Sequence, residues 1–427
     1  MSAFQEQFQI NKSLDLGGNF LYHHDLSVIL YFASYTMGNH WYFPTILTDV
    51  QDITHFLDAT VNYIDPTTGS TKTLDITQNG FTNYMSYYVN GQGQASILDG
   101  VISDQMMVTD RLRLNLAARW EGDGFVQTTE NNSTVQPNGT PVDSTTPPYA
   151  RIAWGNGSYR HMSTWLHDWS FTAGLNYDIL PQVFAFYANF SRRYEMPTLD
   201  NLLQGVPAQI ALFQDEHTLQ YEGGFKYYSD VFAFNADVFW ANLTNITSQG
   251  AVNQPNGSVV WVTNYGLNQN AYGIESDATW MPVSGLYLRG NWTLLKATYA
   301  SGGSFALNGI PNSIGDLLGT YTWNNFTLEA DWHYVGNRIG GLNFGGYTSS
   351  GQAVFVVGTA LPAYTYMNTG LSYYVASQAI TLRLGVTNLF QSQGLEEGNP
   401  RASAVGSYFL ARPILPRRLT FSVGYQF

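Results

Sequence analysis

Asp331 and His333 come nearest to chemistry by type and spacing. They lie two apart in Phe326 to Val335, which reads as a strand, so both side chains share one face. A carboxylate beside an imidazole can begin a metal site or an acid–base pair. No third donor is evident nearby, so the expectation is a structural pair. His23-His24, next to a turn, are expected to do no more than loop chemistry or weak metal binding. No Ser, His and acid set announces itself, and zero cysteines exclude disulfides, thiolate metal sites and cysteine nucleophiles. Gly91-Gln92-Gly93 and the Asn-Gly pairs at Asn138 and Asn156 read as turns, not phosphate loops. The chain is therefore read as a non-enzyme with no catalytic, cofactor or metal set.

The elements that hold these residues share one grammar: a strand of about ten residues or more, a very short turn, a returning strand, then a long polar loop. In Arg111 to Glu121, Leu112, Leu114, Leu116, Ala118 and Trp120 alternate with Arg113, Asn115, Ala117 and Arg119. In Phe326 to Val335, Phe326, Leu328, Ala330, Trp332 and Tyr334 oppose Thr327, Glu329, Asp331 and His333. The last stretch alternates too, with Leu419, Phe421, Val423, Tyr425 and Phe427 on one face. Fifteen such strands follow one another without a domain boundary, so residues 1–427 read as one domain. Two departures interrupt the series: an excursion from about Gly38 to Gly93, with a small hairpin around Pro66 to Gly69, and a loop of about forty residues after Glu121.

Composition says where such a sheet would live. Charged residues are 11%, against about 25% in soluble domains, and aromatics are 15%. The longest apolar run, Val28 to Ala33, is far too short for a membrane helix. A membrane, if crossed, must be crossed by strands of about 9–11 tilted residues. Net charge of -13 argues against nucleic acid. Apolar faces toward lipid, aromatics at strand ends, a polar lumen, short turns at one end and long loops at the other are what an outer-membrane barrel requires. A soluble sandwich or propeller would use shorter strands and turn its apolar face inward. The polar face then presents Glu222, Lys226, Asp237, Glu275 and Asp277 to the lumen. Arg289, Glu329, Asp331 and Arg383 join them. They are candidates for touching a plug or solute, although pairwise neutralisation is the simpler role. The aromatics Trp41, Tyr42, Phe43, Trp154, Tyr159 and Phe344 fall in long loops, where they could stack on a ligand or belong to the interfacial girdle.

Several segments resemble TonB-dependent outer-membrane receptors. Val183 to Pro197 looks like their strand-to-loop stretch, and Tyr221-Glu222-Gly-Gly-Phe-Lys226-Tyr like their recurring Glu-x-Gly-x-Lys strand. Asn264-Tyr-Gly266 followed by Gly273-Ile274-Glu275 is similar to another. Val386-Thr-Asn388-Leu389-Phe390 and the ending Arg417 to Phe427 are similar to the family's last two strands. The order and spacing of these motifs over Asp104 to Phe427 make the resemblance more specific than any one of them.

The resemblance implies a transmembrane antiparallel up-and-down β-barrel, whose complete form has 22 strands around a plug. This chain is expected to supply about 15 of the 22 strands and no plug domain. Met1-Ser-Ala-Phe-Gln-Glu has no signal-peptide character, and fifteen is an odd count, so a processed chain or a piece of a longer one is expected. The implied function is uptake of a large scarce solute, a siderophore, cobalamin or glycan, driven by TonB in the intact parent. The alternatives are a plugless passive outer-membrane pore and, from another class, a barrel enzyme or adhesin. Expected partners are outer-membrane lipid, a small-molecule or glycan ligand, and the TonB complex through a plug. The barrel-assembly machinery would read the terminal row from Leu419 to Phe427.

Overall fold

The computed structural model describes residues 2–49, 51–64, 68–75, 77–132, 155–204, 215–253, 259–299, 305–306, 309–340, 343–347, 353–356, 359–375, 377, 379–403 and 406–426. One antiparallel sheet of 17 strands dominates. Two of its members, Thr77–Gln78 and Phe305–Ala306, are two-residue additions. The other fifteen pair in chain order, as the alternation predicts.

They are β1 (Ser2–Asp15), β2 (His23–Ile46), β3 (Phe81–Thr109), β4 (Leu112–Asn132) and β5 (Gly155–Leu180). Then come β6 (Phe184–Glu195), β7 (Glu216–Tyr228), β8 (Phe232–Asn253), β9 (Val259–Trp280) and β10 (Leu286–Tyr299). The last five are β11 (Ser313–Trp323), β12 (Phe326–Val335), β13 (Tyr364–Val375), β14 (Ile380–Thr387) and β15 (Arg418–Tyr425). Among the described residues β1 pairs only with β2 and β15 only with β14, so the sheet is open. No described helix is long and apolar enough to cross a membrane.

Turn chemistry sets one end of the sheet. β3 returns as β4 through Asp110-Arg111, and β11 as β12 through Asn324-Asn325, where Asn324 takes φ 49°. Gln182 and Ala379 hold the left-handed conformation at two other short turns, at φ 63° and 49°. Long connections all leave the opposite end, and the hairpin Thr60–Ile64 with Thr71–Asp75 lies where sequence placed it.

Residues directly opposite on neighbouring strands share a face. Leu116 stands between Asp104 and Ala173, and Leu384 beside Phe421. The face they mark is solvent-open: Leu116 is 46% and Phe421 67% exposed. No dry centre hides these residues. The face is banded by aromatics at both ends, Trp323, Phe326 and Tyr373 beside the short turns and Trp292, Trp332 and Tyr334 toward the loops. The strands from β2 to β14 are paired on both sides, as lipid requires of a spanning sheet, and the unpaired edges are those of β1 and β15.

Three expectations need correction. The excursion from Gly38 to Gly93 is largely strand: β2 continues to Ile46, paired with β3 from Phe81. Gly91 and Gly93 are therefore ladder residues opposite Asn39 and Met37, not a turn. Likewise β4 runs to Asn132 and β5 begins at Gly155, which shortens the predicted forty-residue loop; Asn156-Gly157 sits at the start of β5 with Gly157 at φ 78°, and Asn138 lies outside the described residues. Along these extensions the inner face buries polar residues, Asn39 at 2% and Gln127 at 2% exposed, so the apolar–polar alternation found lower in the strands is lost.

The outward face also carries an exception. His24 lies in β2, not in a loop, and its Nδ1 stands 2.8 Å from Asp104 Oδ2 on the lipid-facing side. Pairing offsets the penalty of holding a carboxylate there. His24→Leu is expected to lower stability in vesicles by about 2 kcal/mol, and adding Asp104→Leu to recover most of it. Urea titration of the two variants checks this; equal losses in both would show that the pair is not coupled.

Candidate functional site

The opposite, inner face gathers the charges. All nine predicted lumen residues fall on it, sorted by register into three groups. In the first, Asp237 stands directly opposite Glu275, with Glu222 and Lys226 on the next strand. Tyr187 joins them: its hydroxyl donates to Asp237 Oδ2 at 3.0 Å, and Lys226 Nζ lies 4.7 Å from its ring centre. In the second, Arg289 Nε donates to Asp277 Oδ2 at 3.1 Å. In the third, Arg383 Nη2 donates to Glu329 Oε2 at 3.0 Å. Glu329, Asp331, Asn368 and Arg383 line an open trough of about 410 Å³ whose floor is the facing pair Gly370 and Gly385.

Asp331 and His333 gain a partner that sequence did not reveal. Asp316 of β11 sits opposite His333 and meets its Nδ1, while Asp331 Oδ2 lies 2.6 Å from Nε2. Tyr366 of β13 stacks on the imidazole at 4.6 Å. Both ring nitrogens are engaged, so the imidazole has no free nitrogen to offer a metal or substrate. His23 is similarly spent, 2.6 Å from Asp15 and 3.1 Å from Asp25.

Sequence reasoning passed over a further inner network. Arg119 bridges Asp99 at 2.9 Å and Glu121 at 2.5 Å, and the Tyr194 hydroxyl donates to Glu121 at 2.9 Å. These residues come from β3, β4 and β6, so only the register brings them together. Toward the mouth, Asp168, Asp215 and His217 place one ligand atom each within 4.8 Å of one another. Burial pushes the Asp215 carboxyl above its ordinary range, and a hydrogen bond to Asp168 adds to the rise. Arg192 donates to Asp168 at 3.1 and 3.3 Å and lies 3.4 Å from His217 Nδ1. The Arg192 guanidinium already neutralises the carboxylate charge that would draw a cation, so the group reads as an ion network.

The loop aromatics separate. Trp41 lies in β2 and Tyr159 in β5, both exposed strand residues near the loop ends of their strands. Tyr42 and Phe43 also lie along β2, and Phe344 in the short strand Asn343–Tyr347. Trp154 lies outside the described residues.

One short helix, α1 (Leu199–Gln204), follows β6. It lies against the inner face of β2, β3 and β4, where it closes the described apolar cluster formed with Ala95 and Phe125. Its Leu-x-x-Leu-Leu spacing puts three leucines on one side, and Thr198 precedes it at a position suited to capping. Six residues are too few for a periodic signal, which is why the helix is not legible in the sequence.

Residues 3–389 match the family described as TonB dependent receptor-like, beta-barrel. A search of curated proteins found no match. Among solved structures, the chain is similar to the ferric-catecholate import receptor Fiu from K12 E. coli in its closed form, with TM-score 0.68 and 18% identity over 99% of this chain and 54% of that one. The ferric citrate transporter FecA gives TM-score 0.65 and 14% identity over 99% and 53% of the two chains. The siderophore receptor PiuA from Acinetobacter baumannii gives 0.63 and 14% over 99% and 55%. The chain thus spans about half the length of these structures, and the likeness is one of fold.

Proposed function

Because the chain belongs to the TonB-dependent receptor β-barrel family, we propose that it forms barrel wall of an outer-membrane receptor that takes up a large scarce solute. The observation that carries this reading is the opposite polarity of the sheet's two faces: Leu116, Leu384 and Phe421 outward, paired charges such as Arg383–Glu329 and Arg289–Asp277 inward. A wet, charge-lined inner wall admits a polar solute that lipid would exclude. Residues 1–427 act as a single barrel domain in this reading, and energy comes from the TonB complex pulling on a plug in the whole receptor. The iron-chelate receptors that share the fold support a ferric siderophore as solute, with cobalamin and glycans as the other classes the scaffold accommodates.

The nine inner charges then act as the wall that a plug or solute slides along, and the pairs keep that wall neutral. The exposed terminal row Leu419, Phe421, Val423 and Tyr425 supports recognition by the barrel-assembly machinery.

Uptake measured in whole cells expressing the whole receptor, with these residues as its barrel wall, tests the reading. Radiolabelled ferric catecholate, cobalamin and a maltooligosaccharide are supplied separately, with and without an uncoupler. The expected result is saturable uptake of one probe that stops when the proton gradient collapses. Non-saturable entry of all three, indifferent to the uncoupler, would overturn it in favour of a passive pore.

A further inference from the structure

The inner wall is polar nearly throughout, yet one patch of it is built to hold hydrocarbon. Leu199, Leu202 and Leu203 of α1 are each 0% exposed. They enter a socket made by Tyr35, Ala95, Phe125 and Leu166. Two glycines cut its floor: a Cβ on Gly93 would stand 2.8 Å from Leu199 Cδ1, and one on Gly91 3.1 Å from Leu203 Cδ2. Two polar ties fix the orientation. Asn39 Nδ2 donates to Asp200 Oδ1 at 2.7 Å, and Gln127 Nε2 donates to the Leu202 carbonyl at 3.2 Å. The helix follows β6 but docks on β2, β3 and β4, so it reaches sideways across the wall at its loop end.

The same contact carries an opposing cost. Gln127 Oε1, Thr129 Oγ1 and Asp123 Oδ1 are sealed from solvent around the socket and find no partner among the described residues. Docking removes leucine surface from water, which is favourable. It also strips water from three acceptors, which is unfavourable. Release reverses both terms. The two terms oppose each other, so the net preference for docking is smaller than leucine burial alone would give.

We propose that α1 is a releasable internal strap: docked in the glycine-floored socket it narrows the aqueous interior, and released it widens the passage. Docking follows from the wall alone, and only the link to solute passage rests on the receptor reading above.

The chain has no cysteine, so the tie can be replaced by a disulfide without background. The full chain carrying Asn39→Cys and Asp200→Cys is oxidised in outer membranes, then reconstituted in planar bilayers. The expected result is a cross-link on mild oxidation, a conductance severalfold lower than in the reduced protein, and full recovery with reductant. Leu199→Asp with Leu203→Asp is expected to abolish the cross-link in that background and to raise conductance. Heat-modifiable mobility in gels verifies that each variant remains a folded barrel. A folded protein whose two thiols stay free and reactive overturns docking. A cross-linked protein with the conductance of the reduced form overturns the narrowing. Cross-linking and conductance change without uptake of any probe in either state would uphold the strap and reject the receptor reading.

Discussion

Leu116→Arg is expected to destabilise the membrane-inserted protein by about 3 kcal/mol, while Asn115→Arg, one residue away, changes stability by less than about 0.5 kcal/mol. The two positions differ only in the face they occupy. Leu116 is four residues from the strand end beside the short turn, near the middle of a span of about ten residues. Its neighbours across the ladder are Ala173 and Asp104, whose carboxylate His24 already engages, so an arginine there must snorkel past Leu114 or Ala118 to reach water. Asn115 points to the inner wall opposite Gly174, where there is room for a long side chain and no hydrocarbon to desolvate it. Guanidinium unfolding of both variants in vesicles measures the difference. Equal losses at the two sites would mean that the outward face does not meet lipid.

Arg119→Met is expected to cost about 3–5 kcal/mol, the largest loss among the inner-face charges. Arg119 is the cation shared by Asp99 and Glu121, whose side chains are only 11% and 12% exposed. Removing it leaves two carboxylates facing each other with little water. Arg289→Met, by contrast, breaks a single pair in which both side chains are open to solvent, 53% and 35% exposed, and is expected to cost less than about 1 kcal/mol. Adding Asp99→Asn and Glu121→Gln to Arg119→Met should restore a large part of the lost stability, because the amides remove the repulsion and keep the shape. A similar loss for Arg119→Met and Arg289→Met would contradict the assignment of a shared, desolvated cation.

What the sequence made legible follows from where each residue sits relative to lipid. Within the band, hydrocarbon on one side and water on the other force strict alternation, so β4, β12 and the terminal strand were readable residue by residue. The upper parts of β2 and β3 are covered on the inner face by α1 rather than divided between lipid and water, and Asn39, Asn90 and Gly91 carry no apolar period there; they read as loop although the ladder continues. Parity alone puts the nine charges on one face of their strands, and the register gathers them on one face of the sheet. Their partners were not legible, because Asp316 with His333, or Asp99 with Arg119, depends on cross-strand register that a single strand does not encode. Gly91 and Gly93 invited a turn reading, since glycine in a strand can equally mark a close approach by another segment. Here that segment is a leucine helix from a distant loop.

Neighbouring residues of one strand meet different solvents, lipid on one side and water on the other. Nitroxide scanning of Leu112 through Ala118 in reconstituted vesicles tests it most directly, one cysteine at a time on the cysteine-free chain. The account predicts a period of two: high oxygen and low aqueous-relaxant accessibility at Leu112, Leu114, Leu116 and Ala118, and the reverse at Arg113, Asn115 and Ala117. A flat profile, or one in which Leu114 and Leu116 are shielded from both reagents, would contradict it.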